Sequence, residues 1–141
     1  GGIGAAFAEA FTEAGANVTI VDIAPPRANQ NSGLKYEHVD MCDDAAVAAL
    51  GARTERMDVI IHCAGRAALD QEYTPIVFNQ IVNLHLTGAL RLANAFRPHL
   101  KASRGCIIQI ASMTSSRRFA QEPLAPPAAH EKDVLLTDVL R

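Results

Sequence analysis

The chain has no tryptophan, two tyrosines and three cysteines among its 141 residues, and each scarcity removes a class of function. The few aromatics are scattered and give no array on which nucleic-acid bases could stack. The net charge is −2, with no basic stripe to draw in nucleic acid or an anionic membrane surface. Cys42, Cys63 and Cys106 are odd in number and show neither CxxC nor Cys/His ligand spacing. A disulfide framework and a metal site are therefore not expected; reduced thiols in a cytoplasmic protein are. No apolar run approaches the ~20 residues of a transmembrane helix. Internal repeats and low-complexity tracts are absent as well.

What is present is an ordinary globular composition, 49% hydrophobic and 20% charged, long enough for one domain spanning 1–141. Ile3, Phe7, Ala10, Phe11 and Ala14 recur at helical spacing, which predicts a helix over 3–14, stopped by Gly15. Residues 17–22 form a short β-rich run, and 34–39 a weaker one. Asp43 and Asp44 precede an alanine-rich helix at 45–50 as a cap and an acidic first turn would. Residues 58–62 read as a third strand ending in the tight Cys63-Ala64-Gly65. Thr74-Pro75 is a helix start, and that helix extends to about residue 99 with apolar side chains nearly all round, a pattern expected of burial on more than one side. A fourth strand covers 106–111, a polar, proline-rich loop follows, and 131–140 looks helical. Alternating strands and helices imply a doubly wound parallel α/β sheet of Rossmann type, in which ligands bind beyond the carboxyl ends of the strands.

The chemistry-bearing residues fall just after strands. Gly1-Gly2-Ile3-Gly4 opens a helix, where a glycine backbone can approach a pyrophosphate and unpaired N–H groups favour its charge. The alternative is a plain turn. Asp22, followed by Ile23, ends the next strand; a carboxylate there accepts from both ribose hydroxyls of an adenosine and repels a 2′-phosphate. Its plain alternative is a solvated strand end. Arg27, in a proline-rich loop, is a weaker candidate for a 2′-phosphate. Asp40-Met41 lines an adenine pocket or simply caps the next helix. Ala64-Gly65 lets a cofactor lie against the backbone or makes a tight turn.

Taken in order, Gly2-Ile3-Gly4, Asp22, Asp40-Met41, Ala64-Gly65, Val82-Asn83-Leu84 with Gly88, and the run ending in Ser112 resemble the short-chain dehydrogenase/reductase family, classical type. The resemblance implies an NAD-dependent oxidoreductase that interconverts an alcohol and a carbonyl of a small-molecule substrate, with NAD expected over NADP because of Asp22. It also implies a catalytic set of Asn, Ser, Tyr and Lys, matched by Asn83, Ser112 and Lys132. In the family the asparagine shapes a water-linked proton relay, the serine orients the substrate oxygen, and the lysine binds ribose and lowers the tyrosine pKa.

The tyrosine of Tyr-x-x-x-Lys is missing. Tyr36 and Tyr73 both precede Ser112, and Ala128 stands four residues before Lys132. That departure supports an alternative, a catalytically inactive nucleotide-binding or interaction protein on the same scaffold. His130 is a weak candidate for a replacement base. His62-Cys63 and Gln109 stand where the family usually has asparagines. Set against the family, the chain is expected to be a partial sequence, lacking a first strand and the C-terminal strands. Homo-oligomers are compatible with the family for a full-length protein.

Overall fold

The computed structural model of the protein describes residues 2–25, 34–67 and 74–112. Along these the order is α1 (Gly2–Glu13), β1 (Thr19–Asp22), β2 (Lys35–His38), α2 (Asp44–Ala52), β3 (Val59–His62), α3 (Pro75–Val82), a π-turn (Asn83–Thr87), α4 (Gly88–Ser103) and β4 (Cys106–Gln109). The expected helix at 131–140 lies outside the described residues.

The strands form two parallel pairs. In the first, Thr19 to Asp22 run beside Lys35 to His38; in the second, Val59 to His62 run beside Cys106 to Gln109. Within each pair the strands are parallel, as alternating β and α elements lead one to expect. Each ladder continues one bond further, through Val39 N–H to the Asp22 carbonyl and Ile110 N–H to the His62 carbonyl. Both pairs contribute to one core: Val39, Met41, Val47, Leu50, Leu92, Ala93, Phe96, Leu100 and Ile107, with Val21 of β1 and Ile60 of β3 packed against it.

Local chemistry explains the element ends. The Asp43 carboxylate accepts from the Ala45 and Ala46 N–H groups and starts α2. Gly15 takes φ +86°, a conformation suited to glycine, and Ala16 N–H closes α1 on the Phe11 carbonyl at 2.9 Å. Pro75 occupies the first turn of α3, with Thr74 at its cap position. Gly51 of α2 passes so close to α4 that an added Cβ would stand 2.8 Å from the Ala95 carbonyl oxygen.

Two sequence expectations change. In α1 Phe7 and Phe11 are half-buried as expected, with Ala8 buried and Gly4 turned toward Cys63, but Ile3 is 60% exposed, and Ala10 and Ala14 are also exposed. The long helix is not buried all round. Leu92, Ala93, Phe96 and Leu100 of α4 form its stripe into the core against α2 and the sheet, Ile81, Gly88 and Ala89 are also buried, and Ile76 and Leu90 face outward.

Candidate functional site

The carboxyl ends of β1, β2 and β3 carry the residues singled out for a cofactor. Asp22 is the last residue of β1 and half-buried. Its Oδ1 accepts from Ala24 N–H at 3.0 Å, fixing the turn, and its main-chain carbonyl accepts from the Tyr36 hydroxyl at 3.1 Å. Burial and the Asp22 charge raise the Tyr36 pKa, so this phenol is a brace for β1. Ile23 follows with its side chain exposed, and its carbonyl lies 3.0 Å from His38 Nε2.

Asp40 and Met41 diverge. Asp40 is exposed and its Oδ1 accepts from Cys42 N–H at 2.8 Å, an Asx turn that starts the approach to α2. Met41 points into the core, so any contact it makes with a ligand falls to its main chain.

Gly4, in the first turn of α1, faces the end of β3: an added Cβ there would lie 3.8 Å from the Cys63 Cβ. A glycine-opened helix N-terminus therefore meets the loop that carries Ala64 and Gly65. Ala64 packs on the core and Gly65 is exposed. Burial pushes the Cys63 thiol pKa up, which disfavours its thiolate. Gly2 and Ile3 lie at the outer side of the same turn, both exposed.

Behind this rim, His62 is 3% exposed and its Nδ1 lies 2.7 Å from Gln109 Oε1, its register partner on β4. The pair bridges β3 and β4 at their carboxyl ends. Three residues beyond β4, Ser112 is exposed. Lys132, Ala128, Tyr73 and Arg27 lie outside the described residues.

Asn83 opens the π-turn. Its main-chain carbonyl accepts the Gly88 N–H, the i→i+5 bond of a π-turn, and lies 3.3 Å from Arg91 Nη1. Arg91 also reaches the Met41 carbonyl and pairs with Asp44. Gly88 packs beside Met41 at this junction: an added Cβ there would stand 3.5 Å from the Met41 Cβ, an ordinary van der Waals contact. The side chain that the helix brings to the loop after β3 is His85, which the sequence reading passed over. Its ring lies on Gly65, where an added Cβ would stand 2.9 Å from Cε1, and its Nε2 lies 3.0 Å from Arg66 N. The available signal was a polar ring set between Leu84 and Leu86, with a glycine left open to receive it.

The chain belongs to the short-chain dehydrogenase/reductase family, whose parallel α/β fold and glycine-opened first helix it shares. Residues 1–129 match the family profile described as enoyl-(acyl carrier protein) reductase. L-fucose dehydrogenase of Bos taurus is 32% identical over 126 residues, covering 82% of this chain and 47% of the relative. A short-chain dehydrogenase/reductase of Pestalotiopsis microspora is 29% identical over 115 residues, covering 76% and 42% respectively. The chain thus spans somewhat under half the length of these two relatives. Among solved structures, the short-chain dehydrogenase of Leptospira borgpetersenii with bound NAD+ superposes with a TM-score of 0.79 at 19% identity, over 96% of this chain and 57% of that one. At that identity the likeness establishes the fold.

No helix among the described residues is long and apolar enough to cross a membrane. No group of three or more His, Cys, Asp or Glu side chains among them is arranged to hold a metal ion.

Proposed function

We propose that the protein is an NAD(H)-dependent oxidoreductase that interconverts an alcohol and a carbonyl on a small molecule. The observation that carries this reading is the approach of Gly4 to Cys63 at the carboxyl end of β3, with Asp22 at the end of β1. The residues present fit a dinucleotide. Main-chain N–H groups at the start of α1 suit a pyrophosphate, and the Asp22 carboxylate suits the two ribose hydroxyls of an adenosine. The nicotinamide, when bound, supplies the hydride acceptor or donor.

In this reading Ser112 orients the substrate oxygen, Lys132 binds the nicotinamide ribose, and Asn83 serves a proton relay. NAD is favoured over NADP because the Asp22 charge opposes a 2′-phosphate. A cytoplasmic setting accords with the free Cys42, Cys63 and Cys106. The name of the bovine relative makes L-fucose a first substrate to assay.

The test is the Asp22→Ala variant. Loss of a charge-assisted hydrogen-bond pair should weaken NAD+ binding by roughly tenfold or more while narrowing the preference over NADP+. Unchanged NAD+ affinity, measured by calorimetry, would refute the assignment. Binding of NAD+ without alcohol-dependent formation of NADH would instead favour the inactive nucleotide-binding alternative.

A further inference from the structure

The loop after β3 is fastened to the long helix at two points that no part of the cofactor reading uses. Arg66 Nη2 donates to Gln80 Oε1 at 2.7 Å, and Arg66 N–H donates to His85 Nε2 at 3.0 Å. The same His85 nitrogen lies 2.9 Å from the Arg66 carbonyl oxygen. Gln80 and His85 are five residues apart. On a regular α-helix at 3.6 residues per turn they would lie about 140° apart around the axis. Between them begins the π-turn, whose i→i+5 bonding brings residues five apart closer to one face. The wider turn therefore gathers an amide and an imidazole onto a single residue of the loop. Gly65 completes the fit, because a Cβ at that position would collide with the His85 ring.

We propose that His85 and Gln80 are positioning residues that clamp Arg66 and so hold Cys63-Ala64-Gly65 at the distance a bound dinucleotide needs. The inference rests on the reading of this rim as a cofactor site. One Nε2 faces both a donor and an acceptor of Arg66, so it accepts the N–H when its proton is on Nδ1 and donates to the carbonyl when the proton is on Nε2. A primary amide can do both at once. The clamp does not require an imidazole, only a side chain of that reach with a donor and an acceptor at its end.

The prediction has two readouts on the intact protein. Amide hydrogen exchange at Ala64, Gly65 and Arg66 in the cofactor-free protein should speed up in His85→Ala and return toward the parent rate in His85→Gln. NAD+ affinity should fall about tenfold in His85→Ala, as expected for loss of one positioning hydrogen bond, and recover in His85→Gln. Gln80→Ala, at an exposed position, should shift both readouts the same way by a smaller factor and serves if His85→Ala fails to fold. Unchanged exchange in both alanine variants would overturn the clamp. So would failure of His85→Gln to restore either readout, since packing of the ring on Gly65 would then be the operative contact. If exchange responds and Asp22→Ala weakens NAD+ binding while His85→Ala does not, the positioning role is refuted and the cofactor reading stands. If neither variant changes NAD+ affinity, the cofactor reading itself fails.

Discussion

The two strand pairs have the same length and direction, yet different forces hold them. In β1–β2 no residue is fully buried, and the ties are polar. The Tyr36 hydroxyl donates to the Asp22 carbonyl, and Glu37 on β2 bridges Lys35 at 3.1 Å and Arg53, at the C-terminal cap of α2, at 2.9 Å. In β3–β4 the strands are Val-Ile-Ile-His and Cys-Ile-Ile-Gln, Ile107 and His62 are buried, and the His62 imidazole bridges to the Gln109 amide. The contrast follows the proposed division of labour. The first pair offers a carboxylate at a wet rim, where a ribose could exchange for water. The second carries its loop and Ser112 on a more apolar base, although Cys106 and Ile108 are exposed.

The comparison breaks most readily in the core shared by both pairs. Phe96 of α4 is 2% exposed and packs in the cluster that Val21 and Ile60 join from the two pairs. Phe96→Ala removes its buried surface and leaves a cavity, at a cost of about 3–5 kcal/mol. The urea midpoint should drop accordingly, with both strand pairs losing protection together. If β1–β2 melted alone, the two pairs would be independent units and the single core would be wrong.

How much of this was legible in the sequence depends on the range of the interaction. The Asp43 cap, the Gly15 stop and the Thr74-Pro75 start act within a few residues, and their residue types announce them. Strand positions and parallel order followed from alternation with helices. The π-turn has no such marker, and the contacts of Arg91 with the Asn83 and Met41 carbonyls beside it arise only in the fold. The same holds for His62 with Gln109, 47 residues apart, and for Arg66 with His85, 19 apart. Met41 shows the converse limit. Its place after a strand was read from sequence, but whether its side chain faced a ligand or the core was decided by packing. The rim proposed for the cofactor was thus legible as a set of strand ends, and the side chains that hold those ends in place were not.

The second test sharpens the description of β3–β4. Gln109→Leu keeps the volume and removes the acceptor opposite His62 Nδ1. Leaving a buried polar group without that partner should cost about 1–3 kcal/mol. A loss confined to β3–β4 and the loops beyond it, seen as faster amide exchange at Ile110 and Ala64, is expected. No loss would mean that apolar packing alone holds the pair.

The smallest effect is expected at Glu37, on the wet pair. Its hydrogen bonds to Arg53 and to Lys35 hold its carboxyl below the ordinary glutamate range. A carboxyl whose folded pKa is depressed contributes stability that is present above its unfolded value and is lost as pH falls through the folded one. The contribution is therefore full at neutral pH and fades on the acid side. Because the group is exposed to solvent, salt screens it. Glu37→Gln should flatten the acid limb of the stability curve slightly and remove part of its salt dependence, leaving the neutral-pH fold intact. In Gln109→Leu the loss should instead be insensitive to salt, since that bridge is buried. Equal salt dependence of the two variants would erase the distinction between a charge-tied pair and a more apolar one.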